Sequence, residues 1–147
     1  MGLFDFARNI GKKIFHTEEE APSALQQHIN EDNPGVNNLQ VDVKDGVATL
    51  KGEAQSAEAL EKAVLMAGNA MGIQEVKADQ MSIADGSQIG KDDEFYVIEK
   101  GDTLWRIAEK AYGDGTKYTR ILDVNREVIR DPNKIFPGQK IRIPKNI

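Results

Sequence analysis

Hydrophobic and polar positions alternate along this chain in two different rhythms. Residues 3–16 place Leu3, Phe6, Ala7, Ile10 and Ile14 at spacings of three, four and seven, which predicts an amphipathic helix. Pro22 suits the first turn of a second helix over about 21–30, with Leu25 and Ile29 inward, and Asn33-Pro34-Gly35 ends it. The rhythm then changes to two. Leu39, Val41 and Val43 alternate with Gln40, Asp42 and Lys44; Asp45-Gly46 follows; Val47, Thr49 and Lys51 then alternate with Ala48 and Leu50. Alternation on both sides of Asp-Gly predicts a β-hairpin whose tight turn needs positive φ.

The helical rhythm returns after Ser56, an N-cap residue, with Glu58 at the positive helix end. Leu60, Val64, Ala67 and Met71 form its apolar stripe, and Gly72 is placed to close it as a left-handed cap. Ile73 and Val76 lead into a third strand that reaches Met81 and Ile83. Residues 84–94 are small, polar and acidic and read as a flexible linker. Beyond them, residues 95–98 form a short strand. Asp102 caps a helix carrying Leu104, Ile107, Ala108 and Ala111, a second helix covers about 116–124, and a Pro137-Gly138 turn enters a closing strand. The expected architecture is α+β. An N-terminal helix precedes an α-β-β-α-β unit (residues 1–83), which is linked by residues 84–94 to a β-α-α-β unit (residues 95–147).

Composition narrows the function. The 147 residues contain no cysteine, which removes disulfides, thiolate catalysis and cysteine-ligated metals and fits a reducing compartment. Residues 1–90 carry 7 basic against 14 acidic side chains and residues 91–147 carry 12 against 10, so no basic patch invites nucleic acid. Charge enters at Asp5, so residues 2–15 lack the apolar core of a signal peptide. Phe6 stands where a myristoylation motif wants Ser or Thr, and no run approaches the about 20 apolar residues of a membrane span. The expectation is a cytoplasmic chain. Lys12 and Lys13 beside the first stripe leave two readings of it, a membrane-surface helix or a helix docked on the next unit. The weakly basic polar face favours docking.

No catalytic constellation emerges, and an enzyme is not expected. His16 and His28 lack partners at zinc-ligand spacing, and Gly113-Asp114-Gly115-Thr116 lacks the residues of a phosphate loop or a calcium loop and reads as a turn between helices. Trp105 and Tyr112 suit either sugar stacking or packing in the core, and helical spacing favours packing.

Two motifs carry resemblances. Val41-Asp42-Val43-Lys44-Asp45-Gly46-Val47-Ala48-Thr49-Leu50-Lys51-Gly52, an alanine-rich helix and Gly72-Ile73-Gln74-Glu75-Val76 resemble the BON domain over about residues 20–83. Val97, then Gly101-Asp102-Thr103-Leu104, Ile107-Ala108, Asn125 and Pro137-Gly138-Gln139-Lys140-Ile141-Arg142-Ile143-Pro144 resemble the LysM domain over residues 95–144, with one extra residue before Gly101. The second resemblance implies binding of N-acetylglucosamine polymers such as peptidoglycan fragments, in a groove carried onto Gly101, Asp102, Thr103 and Leu104 with Asn133, Lys134 and Ile135 opposite.

Taken together, the opening Met1-Gly2-Leu3-Phe4, the BON segment and the single LysM segment resemble the bacterial BON–LysM two-domain potassium-binding proteins. That resemblance implies a K⁺ sensor or buffer whose domains close on the ion, held by the backbone carbonyls of Ala7, Ile10, Gly68, Ala70 and Ile73. The expected chain is a monomer whose ligand is potassium, with peptidoglycan fragments as a second candidate; its acidic N-terminal half speaks against nucleic acid and a membrane surface. Carbonyl ligands leave no side-chain motif, because potassium can exchange its water shell for uncharged oxygens that every residue possesses. Carbonyls at helix ends lack intrahelical partners and carry partial negative charge. The alternative is that Gly68 and Gly72 merely terminate a helix and Ile73 starts a strand.

Overall fold

A computed structural model describes residues 3–6, 13–89 and 93–145. The first unit comprises α1 (Ala21–Glu31), β1 (Val36–Lys44), β2 (Val47–Ala54), α2 (Ala57–Gly68) and β3 (Glu75–Ile83). β1 and β2 pair antiparallel around Asp45 and Gly46, which take φ values of 52° and 77°, the signature of the tight hairpin turn. α2 crosses over so that β3 lies parallel to β2, giving the order β1-β2-β3. The β1–β2 register slips between Asn37 and Gln40, and Gly52 faces this irregularity with φ +140°. A Cβ there would meet the Asn37 carbonyl at 2.7 Å, so only glycine fits. Both helices pack on the sheet, and Leu25, Ile29, Leu50, Leu60, Val64 and Ile73 form the centre of a shared core.

The second unit is smaller. β4 (Asp93–Val97) pairs antiparallel with β5 (Lys140–Pro144), and α3 (Leu104–Tyr112), a 3₁₀ turn (Gly115–Lys117) and α4 (Tyr118–Val124) lie between them in sequence. Ile107, Ala108, Ile121 and Ile141 fill its core. Buried Asn125 holds it together: its amide donates to the Ile121 and Arg142 carbonyls, and its oxygen accepts the Arg142 amide at 2.8 Å. Gly113-Asp114-Gly115-Thr116 forms the turn expected of it, with Gly113 as a left-handed cap and Asp114 accepting from the Thr116 amide.

Four expectations need correcting. The described ends of the 3–16 stripe are not helical. Asp5 instead bridges Glu75, the Phe6 amide donates to the Gln74 carbonyl, and the Val76 amide donates to the Phe4 carbonyl, so residues 4–6 pair along the edge of β3. Leu3 and Phe6 are nevertheless buried, because a paired segment can plant its apolar side chains in the core as well as a helix does. Second, α2 ends at Gly68, four residues before Gly72, and Met71 is 40% exposed. The glycine does take φ +103°, but within the turn that follows the helix. Third, α3 is capped by Thr103, whose hydroxyl accepts from the Arg106 amide, while Asp102 binds elsewhere. Fourth, Trp105 is 48% exposed and does not belong to the core, whereas Tyr112 is half-buried with its hydroxyl on the Pro144 carbonyl.

Candidate cation site at the domain junction

The two units meet along β5. Ile141 and Ile143 point into the second core, so alternation sends Lys140 and Arg142 to the opposite face. That face lies against the first unit, and both cations are only 1% exposed. Arg142 reaches Glu58 at 3.4 Å and donates to the Val124 carbonyl at 2.6 Å. Burial acts to raise the Glu58 carboxyl, but Lys62 and Arg142 outweigh it and hold the group below the ordinary value. An exposed Arg130–Asp32 pair at 3.1 Å adds a peripheral contact.

Lys140 stands at the centre of the junction. Its backbone is gripped by the Asn69 side chain, which donates to the Lys140 carbonyl at 2.8 Å and accepts the Lys140 amide at 2.9 Å. Its ammonium donates to the Asp5 carbonyl and lies 4.5 Å from the centre of the Phe6 ring, a cation–π contact. Burial pushes this ammonium down to about 8, with the Asp5 carboxylate acting in the opposite direction.

The same Phe6 ring covers Gly68. A Cβ built there would meet ring carbons at 2.2 Å, so the last residue of α2 must be glycine for the ring to seat. Of the five expected carbonyl ligands, Gly68 ends α2, and Ala70 and Ile73 are buried residues of the turn from α2 into β3, directly before the residues that pair with 4–6. The Ala70 carbonyl accepts the Ile73 amide at 3.2 Å, which uses one of its two lone pairs. Ala7 and Ile10 lie outside the described residues. Among the described residues, no His, Asp or Glu side chains gather in the threes that would hold a metal ion.

A cavity of about 310 Å³ opens beside this turn, lined by Met66, Asn69 and Ala70 on one side and by Glu127, Val128 and Gln139 on the other. Glu127 Oε1 and Gln139 Oε1 are buried without a hydrogen-bond partner among the described residues. Burial pushes the Glu127 carboxyl above its ordinary value.

The expected glycan residues separate into different places. Thr103, Leu104 and Asn133 line an open cleft of about 380 Å³, together with Trp105, Tyr118 and Pro132. Gly115 leaves room for Trp105, since a Cβ there would meet the indole at 2.3 Å. Gly101 takes φ +87° in the loop before α3. The Asp102 carboxylate turns away from the cleft to accept from the Tyr96 hydroxyl at 2.5 Å and the Glu99 amide at 2.9 Å. Partial burial acts to raise this carboxyl, but those two hydrogen bonds and Lys110 lower it overall. Lys134 faces the junction cavity, and Ile135 packs on the second core. The sequence reading missed Asn69, Lys140 and Glu127, because nothing local marks a residue as belonging to an interface between units.

The BON domain family model matches residues 17–85, and the LysM domain model matches residues 96–144. The chain is 34% identical over 152 aligned positions to the potassium binding protein Kbp of Escherichia coli, covering 99% of both proteins. The protein YqbP of Bacillus subtilis is 48% identical over 59 residues, which is 34% of this chain and 27% of that protein. An uncharacterized protein of Deinococcus radiodurans is 35% identical over 102 residues, or 65% of this chain and 40% of that one. With both domain models matched and the similarity to the E. coli protein running from end to end, this chain belongs to the BON–LysM two-domain family of Kbp.

Proposed function

We propose that this protein binds potassium in the cytoplasm, as a sensor or buffer, and that the ion draws its BON and LysM domains together. The ligands in this reading are the main-chain carbonyls of Ala7, Ile10, Gly68, Ala70 and Ile73. The observation that carries it is the chemistry of the junction: a main-chain carbonyl and an aromatic face already accept a monovalent cation there, the Lys140 ammonium. Family membership supports the same reading, since a relative matched over 99% of this chain is a potassium binding protein. A carbonyl cage suits K⁺ because the ion gives up its water readily, and a helix end supplies oxygens of partial negative charge. The cavity beside Ala70, with oxygens of Glu127 and Gln139 that have no partner among the described residues, offers a polar approach to that turn. Binding to the folded form alone stabilises it by about 2.7 kcal/mol at a ligand concentration ~100-fold above Kd. The melting temperature is therefore expected to be higher in KCl than in NaCl or choline chloride at equal ionic strength. Coincident curves would overturn the proposal.

A second reading rests on the cleft beside α3, where exposed Trp105 tilts against Tyr118 with ring centres 6.1 Å apart. An aromatic face beside the polar groups of Thr103 and Asn133 suits an acetamido sugar. In this reading the protein is an adaptor that binds peptidoglycan or N-acetylglucosamine polymers. Full-length protein should then co-sediment with peptidoglycan, and Trp105→Ala should release it; an unbound wild type would dispose of this reading.

A further inference from the structure

Asn69 stands where the turn after α2 meets the LysM domain. It follows the last residue of the helix, and its main-chain amide still donates to the Leu65 carbonyl at 3.0 Å, so its backbone moves with α2. Its side chain leaves the BON unit. The side-chain amide donates to the Lys140 carbonyl at 2.8 Å and accepts the Lys140 main-chain amide at 2.9 Å, gripping β5 as a neighbouring strand would. Both bonds go to main-chain groups, so the grip follows the path of the β5 backbone and not the side chain at position 140. The ion pairs across the junction start elsewhere: Glu58 at the opposite end of α2, and Asp32 at the cap of α1.

Two of the proposed ligands flank Asn69 in the chain. The Gly68 carbonyl belongs to the same planar peptide unit as the Asn69 amide, and the Ala70 carbonyl lies one residue beyond. An ion holding both carbonyls leaves the torsions between those two planes little freedom. The direction of the Asn69 side chain follows from the same torsions.

We infer that Asn69 is the coupling residue: an ion held by the Gly68 and Ala70 carbonyls fixes the Asn69 side chain where it grips β5, and so draws the LysM domain onto the BON domain. This inference rests on the potassium reading above and deepens it by naming the residue that carries ion occupancy into closure. Coupling is reciprocal, so a residue that lets the ion favour the closed form also lets the closed form favour the ion. Such couplings change affinity by about 5–150-fold.

The test takes full-length wild type, Asn69→Ala and Asn69→Asp through two measurements. One is calorimetric titration with KCl; the other is small-angle X-ray scattering in saturating KCl and in NaCl at equal ionic strength. N69A removes both bonds to β5. N69D keeps the size of the side chain but sets an ionised oxygen against the Lys140 carbonyl, and it serves should the alanine protein fail to give a cooperative melt. Wild type is expected to have a smaller radius of gyration in KCl than in NaCl. The variants are expected to bind K⁺ saturably but about fivefold or more weakly, with the same radius of gyration in both salts. Wild-type affinity or wild-type contraction in the variants overturns the coupling and leaves the potassium reading standing, because a residue that only packs the junction would leave the response to K⁺ intact. Loss of all K⁺ binding by both variants makes Asn69 part of the ion site itself and also overturns the coupling. Wild type that binds without contracting overturns it too, and wild type that does not bind removes the potassium reading as well.

Discussion

Gly68 shows how much one missing side chain can decide. The Phe6 ring occupies the space that any Cβ would take, so the contact between the N-terminal segment and the end of α2 exists only because this residue is glycine. Gly68→Val should displace the ring, cost about 1–3 kcal/mol as an overpacked core does, and abolish any difference between melting in KCl and NaCl. A destabilised protein that keeps its full potassium response would place the ion elsewhere. At Glu127 the expectation concerns pH. Its folded carboxyl titrates above the ordinary value of 4.5, so the ionised form is disfavoured by folding. As pH falls through the raised value, the folded state takes up a proton that the unfolded chain still lacks, and the cost disappears below 4.5. Glu127→Gln should therefore melt higher than wild type near neutral pH, and the two should converge in acid. A constant gap at all pH values would show that the effect is not ionisation.

At the scale of elements, the hairpin, α1, α3 and the closing strand follow directly from local rules. Asp45-Gly46 supplies the two positive φ angles of its turn, Pro22 opens α1, and Ser56 caps α2 by accepting from the Ala59 amide. Ser56→Ala should cost about 1 kcal/mol in thermal or denaturant unfolding, the usual worth of an N-cap. At the described start of the 3–16 stripe, Leu3 and Phe6 are buried by pairing beside β3 rather than in a helix, and local period carries no information about an open sheet edge. Helix α2 stops short of Met71 because Asn69 leaves the helical path and turns its side chain to Lys140. Asn125 gives the strongest single-residue expectation for the LysM unit. Asn125→Ala strips partners from the Ile121 carbonyl and from both main-chain groups of Arg142, so a loss of about 2–3 kcal/mol is expected in chemical denaturation.

Across the whole molecule, β5 explains why the junction was illegible in the sequence. A strand reading Lys-Ile-Arg-Ile looks like one with a dry face and a wet face, yet both faces are buried here. The dry face fills the LysM core; the charged face supplies the contacts with Asp5, Phe6, Asn69 and Glu58 that join the two units. The domains could be read from motif and period, whereas their contact arises from residues 71 and 135 positions apart in sequence. The proposed carbonyl ligands follow only from family resemblance, because main-chain oxygens are common to every residue.

The central claim is that this junction takes up potassium selectively. Isothermal titration of the metal-free, full-length protein with KCl, and separately with NaCl, tests it most directly. The account predicts a saturable heat with K⁺ and none with Na⁺ over the same range. Featureless traces with both salts, or equal saturable heats, would contradict it.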